Sequence, residues 1–149
     1  MKSDYFKGFL LSISLLCIGI FINFIIPNHS IPIIKMPNNI FIILGFLALI
    51  VNLSFINKSK LIDWFSSIPA TISAISSFSF LVFLMAIIPQ EANASKNILF
   101  SLGFNNLTNS WEFLFASFYL LLVLGFVIMK RIKKFNFRNF VFILNHLGL

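Results

Sequence analysis

Acidic side chains are nearly missing from this chain: it has four Asp and Glu against eleven Lys and Arg in 149 residues, for a net charge of +7. Charged residues of both signs make up only 10% of the total, while hydrophobic residues make up 59%. A soluble domain of this length cannot solvate such a composition, which excludes that class. There is one cysteine, Cys17, in the middle of an apolar run. A disulfide framework, a Cys-x-x-Cys redox pair and a Cys-x-x-Cys-His haem-attachment site are therefore excluded, and Cys17 reads as a small buried hydrophobe. A Gly-rich phosphate loop, a carboxylate pair, a Ser/His/Asp set and metal-ligand spacing are all missing as well. No catalytic centre is expected, and the chain does not read as an enzyme.

What is present is a set of long apolar runs. Residues 9–26, 37–56, 69–88 and 111–129 are each close to the length of about 20 residues that a hydrocarbon core of about 30 Å requires. The expected fold class is an all-α integral membrane protein with four transmembrane helices plus the start of a fifth apolar helix. Residues 1–149 form a single membrane domain in this reading, with a basic cytoplasmic segment at 130–139 and the start of the fifth helix at 140–149. The first run has a basic start and an apolar body like a signal peptide. It leads, however, into Pro27-Asn28-His29-Ser30 with no small-x-small cleavage pattern, and is expected to stay as an anchor.

The basic residues sort by side. Lys2 and Lys7 precede the first span, Lys58 and Lys60 follow the second, and Lys130, Arg131, Lys133, Lys134 and Arg138 follow the fourth; only Lys35 and Lys96 lie opposite. Short loops rich in Lys and Arg resist translocation, so the amino terminus and the last basic run are placed in the cytoplasm and the 89–110 loop outside. The implied location is the bacterial inner (cytoplasmic) membrane, multi-pass. Membrane lipid is the partner that the basic run implies, and no nucleic acid is needed to account for it. Tyr5, Trp64 and Trp111 fall at span edges, where amphipathic rings anchor, and Tyr119 alone is mid-span.

Small and polar residues mark where helices meet, because close backbone approach must supply the contact between apolar helices in lipid. Gly8, Ser12, Gly19 and Asn23 share a stripe of the first helix. Gly45, Ala48 and Asn52 do so in the second, and Ser66, Ala70, Ser73 and Ser77 recur in the third. Interhelical packing accounts for all of them. A transport pathway is disfavoured, since Asp, Glu, Lys and Arg are absent from the span interiors except for the edge residue Glu112.

The last residues carry the most functional information. The basic run Lys130-Arg131-Ile132-Lys133-Lys134 is followed by Phe135-Asn136-Phe137-Arg138-Asn139 and then an apolar stretch ending in Asn145-His146-Leu147-Gly148-Leu149. That stretch stops about ten residues into a segment that needs roughly twenty to cross a bilayer, so the chain reads as a fragment. A helix starting near Phe140 puts His146 about 9 Å deep. An ionisable side chain there is costly unless it has a partner or a task. Two readings of it stand: a neutral imidazole able to bind haem iron, and an interfacial histidine whose polar edge reaches headgroups.

Trp111-Glu112-Phe113 through Gly125, Lys130-Arg131, Phe135 to Phe140, and the Asn145-His146-Leu147-Gly148-Leu149 element together resemble the ResB-type proteins of System II cytochrome c biogenesis. The likeness is strongest to the forms fused to a CcsA half. It covers the whole chain in layout and residues 111–149 in motif. It implies a membrane component that assists haem handling and delivery across the inner membrane, for attachment to apocytochrome c. The implied cofactor is haem b, with His146 as candidate axial ligand and His29 in the first external loop as a weaker one. The implied partner is a CcsA-type protein or fused half, with apocytochrome c served indirectly. The family's large extracytoplasmic domain and tryptophan-rich haem segment do not occur within these residues, so the chain alone is not expected to be a synthase. The alternatives from other classes are a noncatalytic membrane scaffold or accessory subunit, and a small permease component.

The charge sorting generates a direct test. With Cys17 changed to Ser, a cysteine placed at Asn105 or Ser95 should react with an impermeant thiol reagent added to intact cells; labelling only after lysis would reverse the topology.

Overall fold

The computed structural model describes residues 2–26, 36–56, 59–90, 102–133, 140–141 and 144–145. In chain order the elements are α1 (Lys2–Ile25), α2 (Asn38–Ile56), α3 (Lys60–Phe65), α4 (Ile68–Ile87), a 3-10 helix (Phe104–Asn109) and α5 (Trp111–Ile132). No strand occurs among the described residues. Four of the helices, α1, α2, α4 and α5, are long and apolar enough to cross a membrane, and the protein is an all-α, multi-pass membrane protein. Their surfaces fit that solvent. Phe41, Leu44, Phe55 and Phe83 are all more than half exposed, which water would not tolerate over so much of a chain and lipid does. In hydrocarbon every backbone polar group must be paired within its segment, which makes helices obligatory even for runs rich in β-branched isoleucine.

Local chemistry sets the helix ends. α1 begins well before residue 9, because nothing in Ser3 to Gly8 breaks a helix. Asp4 also stands in the first turn, where the helix dipole favours an acid. At 24 residues α1 is about 36 Å long. α2 starts just after Pro37, with the Asn39 side chain accepting from Ile40 N at 2.8 Å. α3 is capped by Ser59, whose hydroxyl accepts from Ile62 N at 3.4 Å. α4 places Pro69 in its first turn, where a missing N–H costs nothing. α5 is capped by Ser110 and runs through Lys130 and Arg131, three residues beyond the apolar run, because cations suit a helix carboxyl end. Of the fifth helix expected at 140–149, Phe140, Val141, Leu144 and Asn145 are helical and the remainder lies outside the described residues.

Two compact units divide the chain, one of Met1–Ile33 with Ile72–Leu120 and the other of Ile34–Thr71 with Leu121–Leu149. In the first, the α1 stripe Gly8, Ser12, Gly19 and Asn23 is buried throughout, as the small residues implied. α4 turns Ser73, Ala74, Ser77 and Leu81 inward at spacings that keep one helical face. Leu81, Leu107 and Ala116 form the core, ringed by Leu16, Phe78, Met85 and Phe113. A polar node crosses this unit at mid-helix. Ser12 Oγ donates to the Ser73 carbonyl at 3.2 Å, and Ser73 Oγ and the Tyr119 hydroxyl share a hydrogen bond of 3.0 Å. Tyr119, mid-span in sequence, is thus a three-helix contact.

In the second unit Ile50, Phe126 and Met129 form the core with Phe46, Ile62, Phe65 and Leu122 around them, and the Phe65 and Phe126 rings stack at 6.1 Å. The α2 stripe departs from expectation. Gly45, Ala48 and Asn52 are exposed, and the helix packs instead through Phe46, Ile50 and Ser54. The reason is that the small residue of this contact belongs to α5. A Cβ on Gly125 would stand 2.6 Å from Ile50 Cδ1, so the glycine makes room for the isoleucine. Ser66 also leaves the stripe assigned to the third span, because it closes α3 rather than lying on α4. Cys17 is exposed on α1 instead of buried.

The polar node predicts a modest, coupled energy. Tyr119→Phe and Ser73→Ala should each lower stability in mixed-micelle unfolding by roughly 0.6 kcal/mol, and the double variant should lose less than their sum. Strict additivity would show that the two groups do not interact.

Candidate functional site

The site that the structure assembles is a buried carboxyl. Glu112 is the second residue of α5 and is fully shielded from solvent, although by sequence it is only the polar edge of a span. Two other pieces of chain converge on it. From α1, Asn23 Nδ2 donates to Glu112 Oε2. One turn earlier on the same face, Gly19 lies so close to α5 that a Cβ would fall 2.5 Å from both the N and Cα of Glu112. From the turn before the 3-10 helix comes Gly103, at φ +83°, a left-handed conformation that glycine adopts without penalty. A Cβ at Gly103 would lie 2.9 Å from Glu112 Oε1 and would collide with the Asn23 amide.

The 3-10 helix that follows Gly103 is tied to Gln90, just past the end of α4. Its Nε2 donates to the carbonyls of Ile88 at 2.8 Å and Phe104 at 3.1 Å, and its Oε1 accepts from Leu107 N at 2.9 Å. Leu107, fully buried, anchors the 3-10 helix in the core below. Ser110 then turns the chain into α5. Its hydroxyl donates to the Leu107 carbonyl at 2.7 Å and accepts from Phe113 N at 3.4 Å.

Electrostatically the site is one-sided. Among the described residues no Lys, Arg or His forms an ion pair with Glu112. What faces the carboxyl is the Asn23 amide and the Ser110 hydroxyl, at the positive end of the α5 dipole. Oε1 makes no hydrogen bond of good geometry among the described residues. On the same stretch, Asn105 Oδ1 and Trp111 Nε1 are also buried without a partner. Unsatisfied buried groups are costly, and each calls for a reason. Chemically, Oε1 can accept a hydrogen bond or meet a cation, and the indole N–H can donate.

The residues singled out from sequence lie elsewhere. Both His146 and His29 are outside the described residues, as is the Ile98-Leu99-Phe100 patch of the external loop. No group of three or more His, Cys, Asp or Glu occurs among the described residues. Sequence reasoning passed over Glu112 because an acid at a span edge is unremarkable. The signal that could have found it was Asn23, a polar residue on the same α1 stripe as Gly19. Comparison with protein-family models, with curated proteins and with solved structures gives no match for this chain.

Removing one partner of a buried pair costs more than removing both. Asn23→Leu should destabilise the protein in detergent unfolding by about 1–3 kcal/mol, whereas Asn23→Leu with Glu112→Leu should recover part of that loss. A double variant as unstable as the sum of the singles would mean that the side chains are held separately.

Proposed function

We propose that the chain serves cytochrome c maturation as the amino-terminal membrane portion of a ResB-type protein, assisting haem handling and delivery across the bacterial inner membrane for attachment to apocytochrome c. The observation that carries this reading is the ordered series at the end of the chain: an aromatic and acidic helix start at Trp111-Glu112-Phe113, a basic run, then Asn145-His146-Leu147-Gly148-Leu149. The structure supports it in layout, since α5 is continuous from Trp111 into Lys130 and Arg131 and helical backbone returns at Phe140, Val141, Leu144 and Asn145. In this reading His146 is an axial ligand to haem iron and His29 is a second candidate. The amino terminus lies in the cytoplasm, and a CcsA-type protein is the partner.

A second reading, a noncatalytic membrane scaffold, is favoured by one observation on α2. Gly45 is exposed with nothing within 4 Å of where a Cβ would stand, and Ala48 and Asn52 are exposed on the same stripe, which suits the close approach of another protein's helix.

Haem content separates the two. The full-length protein purified in mild detergent should give a pyridine haemochrome spectrum. His146→Ala should lose haem or shift its spectrum, with partial recovery in added imidazole. Unchanged haem content and spectrum in a folded, inserted His146→Ala protein would remove His146 from the function and leave the scaffold reading.

A further inference from the structure

We infer that the α3 segment and the end of α5 form a binding site for the phosphodiester headgroup of an anionic phospholipid. Among the described residues of this unit, the cations Lys60, Lys130, Arg131 and Lys133 stand against one acid, Asp63. Asp63 does not neutralise Lys130. Lys130 Nζ lies 3.9 Å from Asp63 Oδ1, and the two side chains are 48% and 77% exposed, a separation and exposure at which an ion pair contributes little. The same Nζ is oriented by Ser66 Oγ at 3.1 Å, so the ammonium is positioned without losing its charge. Lys60, one turn before Asp63 on α3, is exposed. Lys133 donates to the Ser54 carbonyl and sits 5.0 Å from the centre of the Phe55 ring, which ties the carboxyl end of α5 to the end of α2.

The apolar surroundings select lipid over an acidic protein or nucleic acid. α3 presses Ile62 and Phe65 into the core and leaves Leu61, next to Lys60 in the chain, exposed, with Ile68 exposed just beyond the helix. Charged heads and bare apolar side chains within one short stretch match an amphiphile whose phosphate is held by ammonium groups and whose acyl chain lies along Leu61 and Ile68. A zwitterionic headgroup fits less well, because its own cation would be pushed against Lys60 and Lys130.

The chain contains two tryptophans, so Trp111→Phe leaves Trp64 as the single indole, inside the proposed site. The 149-residue chain carrying Trp111→Phe is reconstituted in phosphatidylcholine bilayers containing increasing fractions of brominated phosphatidylglycerol or brominated phosphatidylcholine, and Trp64 quenching is followed. The anionic lipid should reach half-maximal quenching at a mole fraction roughly fivefold lower than the zwitterionic one. High salt should narrow the difference, and Lys60→Gln with Lys130→Gln should abolish it. Lys60→Gln alone, at an exposed side chain away from the core, should give a smaller loss and guards against misfolding of the double variant. Equal quenching by the two lipids, or a preference that survives the double substitution, would overturn the site.

Discussion

Apolar side chains gain nothing from leaving lipid for one another, and that constraint shapes every contact in this molecule. Two helices of Leu, Ile and Phe are as well solvated by acyl chains as by each other, so association must come from close packing and from polar groups that lipid cannot satisfy. The approach of Gly19 to the backbone of Glu112 is the clearest result. It brings α1 against the start of α5, and only at that separation can the Asn23 amide reach the carboxyl. Ser12, Ser73 and Tyr119 repeat the device at mid-helix with hydroxyls and a carbonyl.

Helix number and span positions were legible because they rest on length and hydropathy, which survive any packing arrangement. The α1 stripe was legible too, since its small residues coincide with the face that is buried. α2 was not, and the difference is instructive: an interface needs one small residue at the crossing, and sequence does not say which helix supplies it. Here Gly125 does, and the glycine and alanine of α2 face outward. The short α3 escaped because six residues are too few for a periodic signal, although Ser59 as a cap and Asp63 in the first turn were both present.

The buried carboxyl was illegible for a different reason. An acid in the first turn of a spanning helix is usually solvated by headgroups, and nothing local to Trp111-Glu112-Phe113 says otherwise. Its burial depends on residues 89 and 9 positions away in sequence, Asn23 on α1 and Gly103 in the turn before the 3-10 helix, whose Phe104 carbonyl and Leu107 N–H are bonded to Gln90. Long-range convergence of this kind leaves no periodic trace. The two units therefore divide their chemistry: one gathers buried polar groups around a carboxyl, while the other has an apolar core and a cationic end.

The seating of Ile50 against Gly125 also fixes phase. Sliding α5 by one turn in either direction would present Leu121 or Met129 to the isoleucine instead of a hydrogen atom, and the helices would be forced apart. A single missing side chain thus acts as an index mark that admits one alignment of the α2 and α5 faces and refuses its nearest neighbours, in an environment where greasy surfaces would otherwise slide past one another at little cost.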